Sequence, residues 1–228
     1  MKNLTVITNK QFLQSIYDFQ FNHNISQWAV ILHTDRGKVV IDVTKGSQQI
    51  VAALPRVTDV GLKVGIWQSH HEIHCADTGV PHAVILLPDE TAVKQLNIDK
   101  AALEVRAALP LNRQSCNVNF ASMIPTVGYD ADARVMLRTF ERGVEGETLA
   151  CGTGAAATAF IVHSLGLIPI KEPHQNKLKV DVVVASGAII TVYITAVSNQ
   201  DSVIVEIEGP ARLVFAGTFN PSSLNLHL

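Results

Sequence analysis

The run Ala155-Ala156-Ala157-Thr158-Ala159, entered through Cys151-Gly152-Thr153-Gly154, constrains this chain more than any other stretch: it sets a helix with a cysteine at its mouth. Helix N-termini carry about half a positive elementary charge and unpaired N–H groups, which favour a thiolate and lower a cysteine pKa from about 8.5 toward neutrality. Gly152 and Gly154 add little bulk, so a carboxylate can approach those N–H groups closely. A thiolate inside an anion-binding pocket is suited to removing a proton next to a carboxylate. Small residues also let elements pack closely, and free cysteines are often simply buried, so the tetrapeptide alone leaves both readings open.

Short runs rich in Val and Ile, separated by turn residues, predict strands at 29–33, 38–43, 50–54, 83–87, 180–185, 188–195, 203–208 and 212–215. Helical spacing is confined to 8–21, 91–97, 99–109 and the run from Cys151 to about Leu165, which Gly166 should end. In the first of these, Phe12, Ile16 and Phe19 fall on one face, with Thr8 as the cap. Many strands, few helices and no βαβ rhythm predict an α+β fold.

The 228 residues, 47% of them apolar, suffice for one or two modest domains with a core. A net charge of −2 with scattered Lys and Arg leaves no nucleic-acid footprint and no polybasic membrane patch. Neither a secretory signal nor an apolar run long enough to cross a bilayer is evident, so the expected location is the cytoplasm. Cys75, Cys116 and Cys151 have an odd count and no disulfide-like spacing, which agrees with a reducing compartment. The run His70-His71-Glu72-Ile73-His74-Cys75 gathers ligand types, but on a strand His71 and Cys75 do not join the face of His70, Glu72 and His74. A tetrahedral set from this segment is therefore not expected, and no metal site is assigned. No glycine-rich nucleotide loop or Ser-His-Asp order occurs, and no cofactor is expected.

Glu141-Arg142-Gly143, followed by Glu147-Thr148-Leu149-Ala150-Cys151-Gly152-Thr153-Gly154-Ala155, resembles the second-half signature of the diaminopimelate epimerase family. Three further segments fall in the family's order: Asp77-Thr78-Gly79-Val80-Pro81-His82-Ala83-Val84, Asn117-Val118-Asn119-Phe120, and Glu208-Gly209-Pro210-Ala211-Arg212-Leu213-Val214-Phe215. The resemblance covers roughly residues 36–219. Proline racemases share the Cys-Gly-Thr-Gly turn but lack the lead-in, and are the weaker match.

The resemblance implies two mirrored halves, each a curved antiparallel sheet wrapped around one central helix, with the active site in the cleft between them. The boundary is expected near Lys45-Gly46-Ser47, giving a shortened N-terminal half of residues 1–45 with about 216–228, and a C-terminal half of residues 46–215. In the family each half gives one cysteine. The first-half Cys-Gly-Asn-Gly-x-Arg turn, the Gly-Asn-Asp-Phe strand and the Gly-Asp-Gly segment have no counterpart in these residues. Two explanations stay open: a true start further upstream, or a shortened relative that lost one base. Cys75 or Cys116 can replace the missing acid only if folding brings it opposite Cys151.

The implied chemistry is cofactor-independent inversion at one α-carbon of LL-diaminopimelate to the meso form, in lysine and peptidoglycan precursor synthesis. Cys151 is the implied base, with backbone N–H groups of Gly152 and Thr153 on the α-carboxylate. By the same resemblance Arg142 clamps a distal carboxylate, Asn117 meets the distal amino-acid end, and Glu141 accepts from the substrate ammonium and biases the thiol. His82 tunes the thiol's protonation, its free pKa of about 6.5 being close to working pH. Some members carry an asparagine before the Pro-His pair, where this chain has Val80. The expected partner is a small amino-acid substrate, with neither nucleic acid nor membrane, and a homodimer is plausible by analogy. Two other readings stand beside this one: a non-catalytic or single-base remnant that binds an amino acid or a partner, and a related isomerase with another substrate.

Overall fold

The computed structural model describes residues 3–7, 27–34, 37–44, 49–54, 56–169, 176–196 and 203–210, with side chains from Ile50 onward. The chain divides into two compact units, Met1–Ala52 with Gly209–Leu228, and Ala53–Glu208. In the first, β1 (Asn3–Ile7) pairs parallel with β2 (Gln27–Thr34), and β2 pairs antiparallel with β3 (Gly37–Thr44). The division falls within β4 (Gln49–Ala53), beyond the turn residues at 45–47. The helix expected at 8–21 and the strand expected at 212–215 lie outside the described residues.

The second unit is a sheet laid down in the order β13-β12-β11-β9-β8-β7-β6-β5. Its strands are β5 (Thr58–Trp67), β6 (His71–Asp77), β7 (Pro81–Leu86), β8 (Asn117–Ile124), β9 (Ala133–Glu141), β11 (Lys177–Val183), β12 (Ile189–Ala196) and β13 (Val203–Pro210). The short β10 (Gly146–Thr148) folds back on β9. The α+β class holds, and the sheet is mixed: β7 runs parallel to β8, and β9 to β11. The cause is the connections, because helices intervene between the members of each parallel pair, whereas no helix separates β5 from β6, β6 from β7, β8 from β9 or β11 from β12.

Between β7 and β8 lie α1 (Glu90–Gln95) and α2 (Ile98–Ala108). Asp89 caps α1 by accepting from the Ala92 N–H at 2.8 Å, and Asn97 caps α2 by accepting from Lys100 at 3.2 Å. Ile98, Ala101, Ala102 and Val105 form the buried stripe of α2 at helical spacing. They meet Trp67, Ile73, Ile85, Val118, Phe120 and Phe140 in one apolar cluster. Arg138 ties α1 to the sheet: Nη1 donates to the carbonyls of Val93 and Leu96 at 2.9 Å, while Nε and Nη2 grip Glu147 of β10 at 2.7 Å.

Between β10 and β11 runs α3 (Gly152–Ser164). Residues 154–159, Ile161 and Val162 are all buried, so this helix is apolar nearly all round. Ala155, Ala156, Ala159 and Val162 pack on Val135, Leu137, Val180, Val182 and Val192. It stops where Gly166 takes a φ of +69°, with the Gly166 N–H on the His163 carbonyl and the Leu167 N–H on that of Val162. Among the described residues no helix is long and apolar enough to cross a membrane.

Candidate active site

Cys151 is the N-cap residue of α3, its backbone extended at φ −134° and ψ 107°. The side chain turns back over the first turn, and Sγ accepts from the Gly154 N–H at 3.3 Å. The first intrahelical bond runs from the Ala155 N–H to the Cys151 carbonyl at 2.9 Å. An α-helix leaves its first N–H groups without intrahelical acceptors. Among the described residues those of Gly152 and Thr153 find none, and both residues are half-buried. The helix mouth thus presents a sulfur beside two amides that have no protein acceptor among the described residues.

Behind the sulfur lies a buried polar patch built by three strands. The β6–β7 turn brings the Thr78 hydroxyl to the Thr153 carbonyl, to which it donates at 2.9 Å. That turn is closed by the Asp77 carboxylate accepting from the Gly79 N–H, with Gly79 at φ +107°. His82 on β7 places Nε2 3.1 Å from the Thr153 hydroxyl, which is itself 3.6 Å from Cys151 Sγ. Asn119 on β8 sets Nδ2 3.1 Å from His82 Nδ1 and 2.9 Å from the Ala83 carbonyl. The Thr139 hydroxyl on β9 donates to Asn119 Oδ1 at 2.9 Å. A Cβ at position 154 would sit 2.6 Å from that oxygen, so glycine is required where α3 crosses β8.

The electrostatics correct two expectations. Burial pushes the Cys151 thiol up; the hydrogen bonds from Thr153 and the Gly154 N–H pull it down, and Glu141 raises it again. The net direction is opposite to the helix-mouth argument, because taking the sulfur out of water outweighs its two donors. Burial, and then the charge of Arg142, lower His82 to about 3. It is neutral at working pH and does not titrate near 6.5, so any influence on the thiol passes through a fixed hydrogen bond.

Glu141, at the end of β9, accepts from the Thr148 hydroxyl at 2.7 Å, and its carboxylate favours the protonated form of Cys151. Asn117 is buried, its Oδ1 taken by the Arg142 N–H at 2.8 Å. Arg142 is exposed, with Nη1 on the carbonyl and hydroxyl of Ser115 at 3.1 and 3.2 Å. Cys151, Gly152, Thr153, Glu141 and His82 therefore gather at one end of α3, while Asn117 and Arg142 join them through the strand ends. Cys75 and Cys116 go elsewhere. Both lie in the apolar cluster under α2, and burial raises each thiol, Cys116 to about 11. Neither belongs to the polar patch at the mouth of α3. In the His70–Cys75 run Glu72 pairs with Lys63 at 2.9 Å and stands 3.9 Å from His74 Nε2, His71 stacks on Trp67, and His74 Nδ1 accepts from the Lys63 N–H.

Sequence reasoning missed Thr78, Asn119 and Thr139. Asn119 was within reach, since it stands two residues from Asn117 on a strand and so shares its face. Thr139 carried no signal, because only the β8–β9 register places it opposite Asn119.

Fold and site together define the class. The structure resembles that of a Bacillus anthracis PhzF-family phenazine biosynthesis protein, with a TM-score of 0.62 at 10% identity over 86% of this chain and 69% of that one. It also resembles a hydroxyproline epimerase from Agrobacterium vitis, with a TM-score of 0.59 at 17% identity over 87% of this chain and 60% of that one. The chain has the fold of that group of proteins. More narrowly, it belongs to the diaminopimelate epimerase family, whose model matches residues 74–214. A diaminopimelate epimerase of Hydrogenobaculum sp. is 29% identical over 87% of this chain and 65% of its own length. Those of Methanocella arvoryzae and Chlorobaculum tepidum are 37% and 34% identical over 64% and 69% of this chain. The chain spans 44 to 65% of the length of these three relatives.

Proposed function

We propose that this chain is a cofactor-independent amino-acid epimerase acting on LL-diaminopimelate, with Cys151 as the base that removes the α-proton. The observation that carries the reading is the helix mouth, where Cys151 Sγ stands beside the open N–H groups of Gly152 and Thr153. The α-carboxylate binds those amides, which orients the Cα–H bond toward sulfur. As the thiolate takes the proton, the C–H bond breaks and an S–H bond forms. The electron pair stays on the α-carbon and spreads into the carboxylate, where the two amides and the helix end stabilise it. Arg142, whose guanidinium holds Ser115 through Nη1 and has no other hydrogen-bond partner among the described residues, suits the distal carboxylate. Glu141 receives the ammonium group and, by favouring the protonated thiol, helps to return the proton.

Inversion requires a proton donor on the opposite face of the α-carbon. Cys75 and Cys116 are the other thiols of the chain, and both are buried under α2. That observation supports a second reading, in which Cys151 alone exchanges the proton with retention.

Proton NMR of LL- and meso-diaminopimelate in D2O separates the two readings. Epimerisation predicts loss of the α-proton signal together with the second epimer, both slowed ~10³-fold or more by Cys151→Ala. Deuterium uptake without a new epimer supports single-base exchange. Exchange that survives Cys151→Ala, or none with the parent chain, rejects both.

A further inference from the structure

We infer that Asn119 is a positioning residue: it sets the tautomer of His82, and so directs the hydroxyl proton of Thr153 onto the sulfur of Cys151. The inference rests on the reading of Cys151 as the base, and concerns how that base is held ready.

The direction of the hydrogen-bond chain follows from one obligate acceptor. The Ala83 carbonyl, 2.9 Å from Asn119 Nδ2, can only accept. Flipping the amide would set two oxygens against each other there, in a residue with no solvent exposure. The NH2 group must therefore face Ala83, and its other hydrogen faces His82 Nδ1 at 3.1 Å. Thr139, donating to Oδ1 at 2.9 Å, holds the same orientation from the other side. With Nδ1 accepting, a neutral imidazole carries its proton on Nε2. That N–H points at Thr153 Oγ1, 3.1 Å away. The hydroxyl has a single proton, and with its oxygen already accepting, the proton turns to Cys151 Sγ at 3.6 Å.

Sulfur so placed receives two donors, Thr153 Oγ1 and the Gly154 N–H. Both favour the thiolate over the thiol, against the burial that opposes it. Without Asn119 the imidazole is free to carry its proton on Nδ1. Nε2 would then accept from Thr153, and the sulfur would lose a donor. Gly154 belongs to the same device, since any side chain there would displace Asn119 Oδ1.

The experiment uses the full chain without substrate, which separates failure here from failure of the proposed reaction. Nitrogen NMR of ¹⁵N-histidine-labelled protein reads the His82 tautomer. Ultraviolet absorbance against pH, with Cys151→Ala subtracted, reads the Cys151 thiolate. Expected is an Nε2–H tautomer in the parent and, in Asn119→Leu, roughly tenfold less thiolate at a given pH below the midpoint. Thr153→Val should show the same upward displacement, Thr153→Ser should restore the parent midpoint, and adding Asn119→Leu to Thr153→Val should move it no further. Should Asn119→Leu not fold, the parent tautomer and the two Thr153 variants still decide. An Nδ1–H tautomer in the parent, or a midpoint that Thr153→Val leaves unmoved, overturns the inference.

Discussion

Strands β7, β8 and β9 carry two different surfaces on their two faces. Toward α1 and α2 they present Ala83, Ile85, Val118, Phe120 and Phe140, an aliphatic and aromatic layer that Arg138 enters to clamp α1. Toward α3 the same strands present Val84, Ala121 and Leu137 at one end, but His82, Asn119 and Thr139 at the other, buried as deeply as the apolar residues. Burying such groups without partners is unfavourable, and here each is bonded to the next in a line that ends at Cys151. One face is apolar throughout its core; the other spends part of its burial on a hydrogen-bonded line that reaches Cys151.

Phe120→Ala attacks the first face where it is thickest and should cost about 3–5 kcal/mol in chemical denaturation, with proton exchange per folded molecule unchanged. If exchange falls with stability, the two faces are not separable. The second face has its own signature in acid. His82 is neutral when folded, with its pKa at about 3, whereas an unfolded histidine binds a proton below about 6.5. Between those values the unfolded chain holds more protons, so stability rises with pH through this window and is lost as pH falls. At about pH 4 the loss from this residue should be on the order of 3 kcal/mol. A His82→Gln variant measured over the same window should show a shallower slope, and an unchanged slope would place the acid sensitivity elsewhere. The smallest effect belongs to Cys116→Ala, which should cost about 1 kcal/mol and leave the thiolate midpoint of Cys151 untouched. A displaced midpoint would mean that the faces communicate through β8.

The division between the faces also explains what could be read in advance. The helices announced themselves through caps, periodicity and the Gly166 stop, and the expected 91–97, 99–109 and 151–165 lie close to α1, α2 and α3. Strands β11, β12 and β13 were legible as Val- and Ile-rich runs. β8 and β9 were not, because Asn117, Asn119 and Ser122, then Arg134, Arg138 and Thr139, interrupt the apolar pattern at the positions that build the site and clamp α1. β5 was missed for another reason: it is an edge strand with shifts of register and positive φ at Asp59 and Lys63. Cys151, Glu141 and the glycine turn were visible as a contiguous signature. His82, Asn119 and Thr139 come from three strands, and their line exists only once the register is set.

Gly154 has been described as the space that Asn119 Oδ1 needs. That space also works as a gauge during assembly. Sliding α3 by one residue turns it through about 100° and advances it about 1.5 Å, which would bring the side chain of Thr153 or Ala155 against the amide. A mis-seated helix would meet a methyl group where only a hydrogen is tolerated. The missing side chain therefore rejects wrong registers of helix on sheet, and the seating that survives is the one that brings Cys151 to its donors.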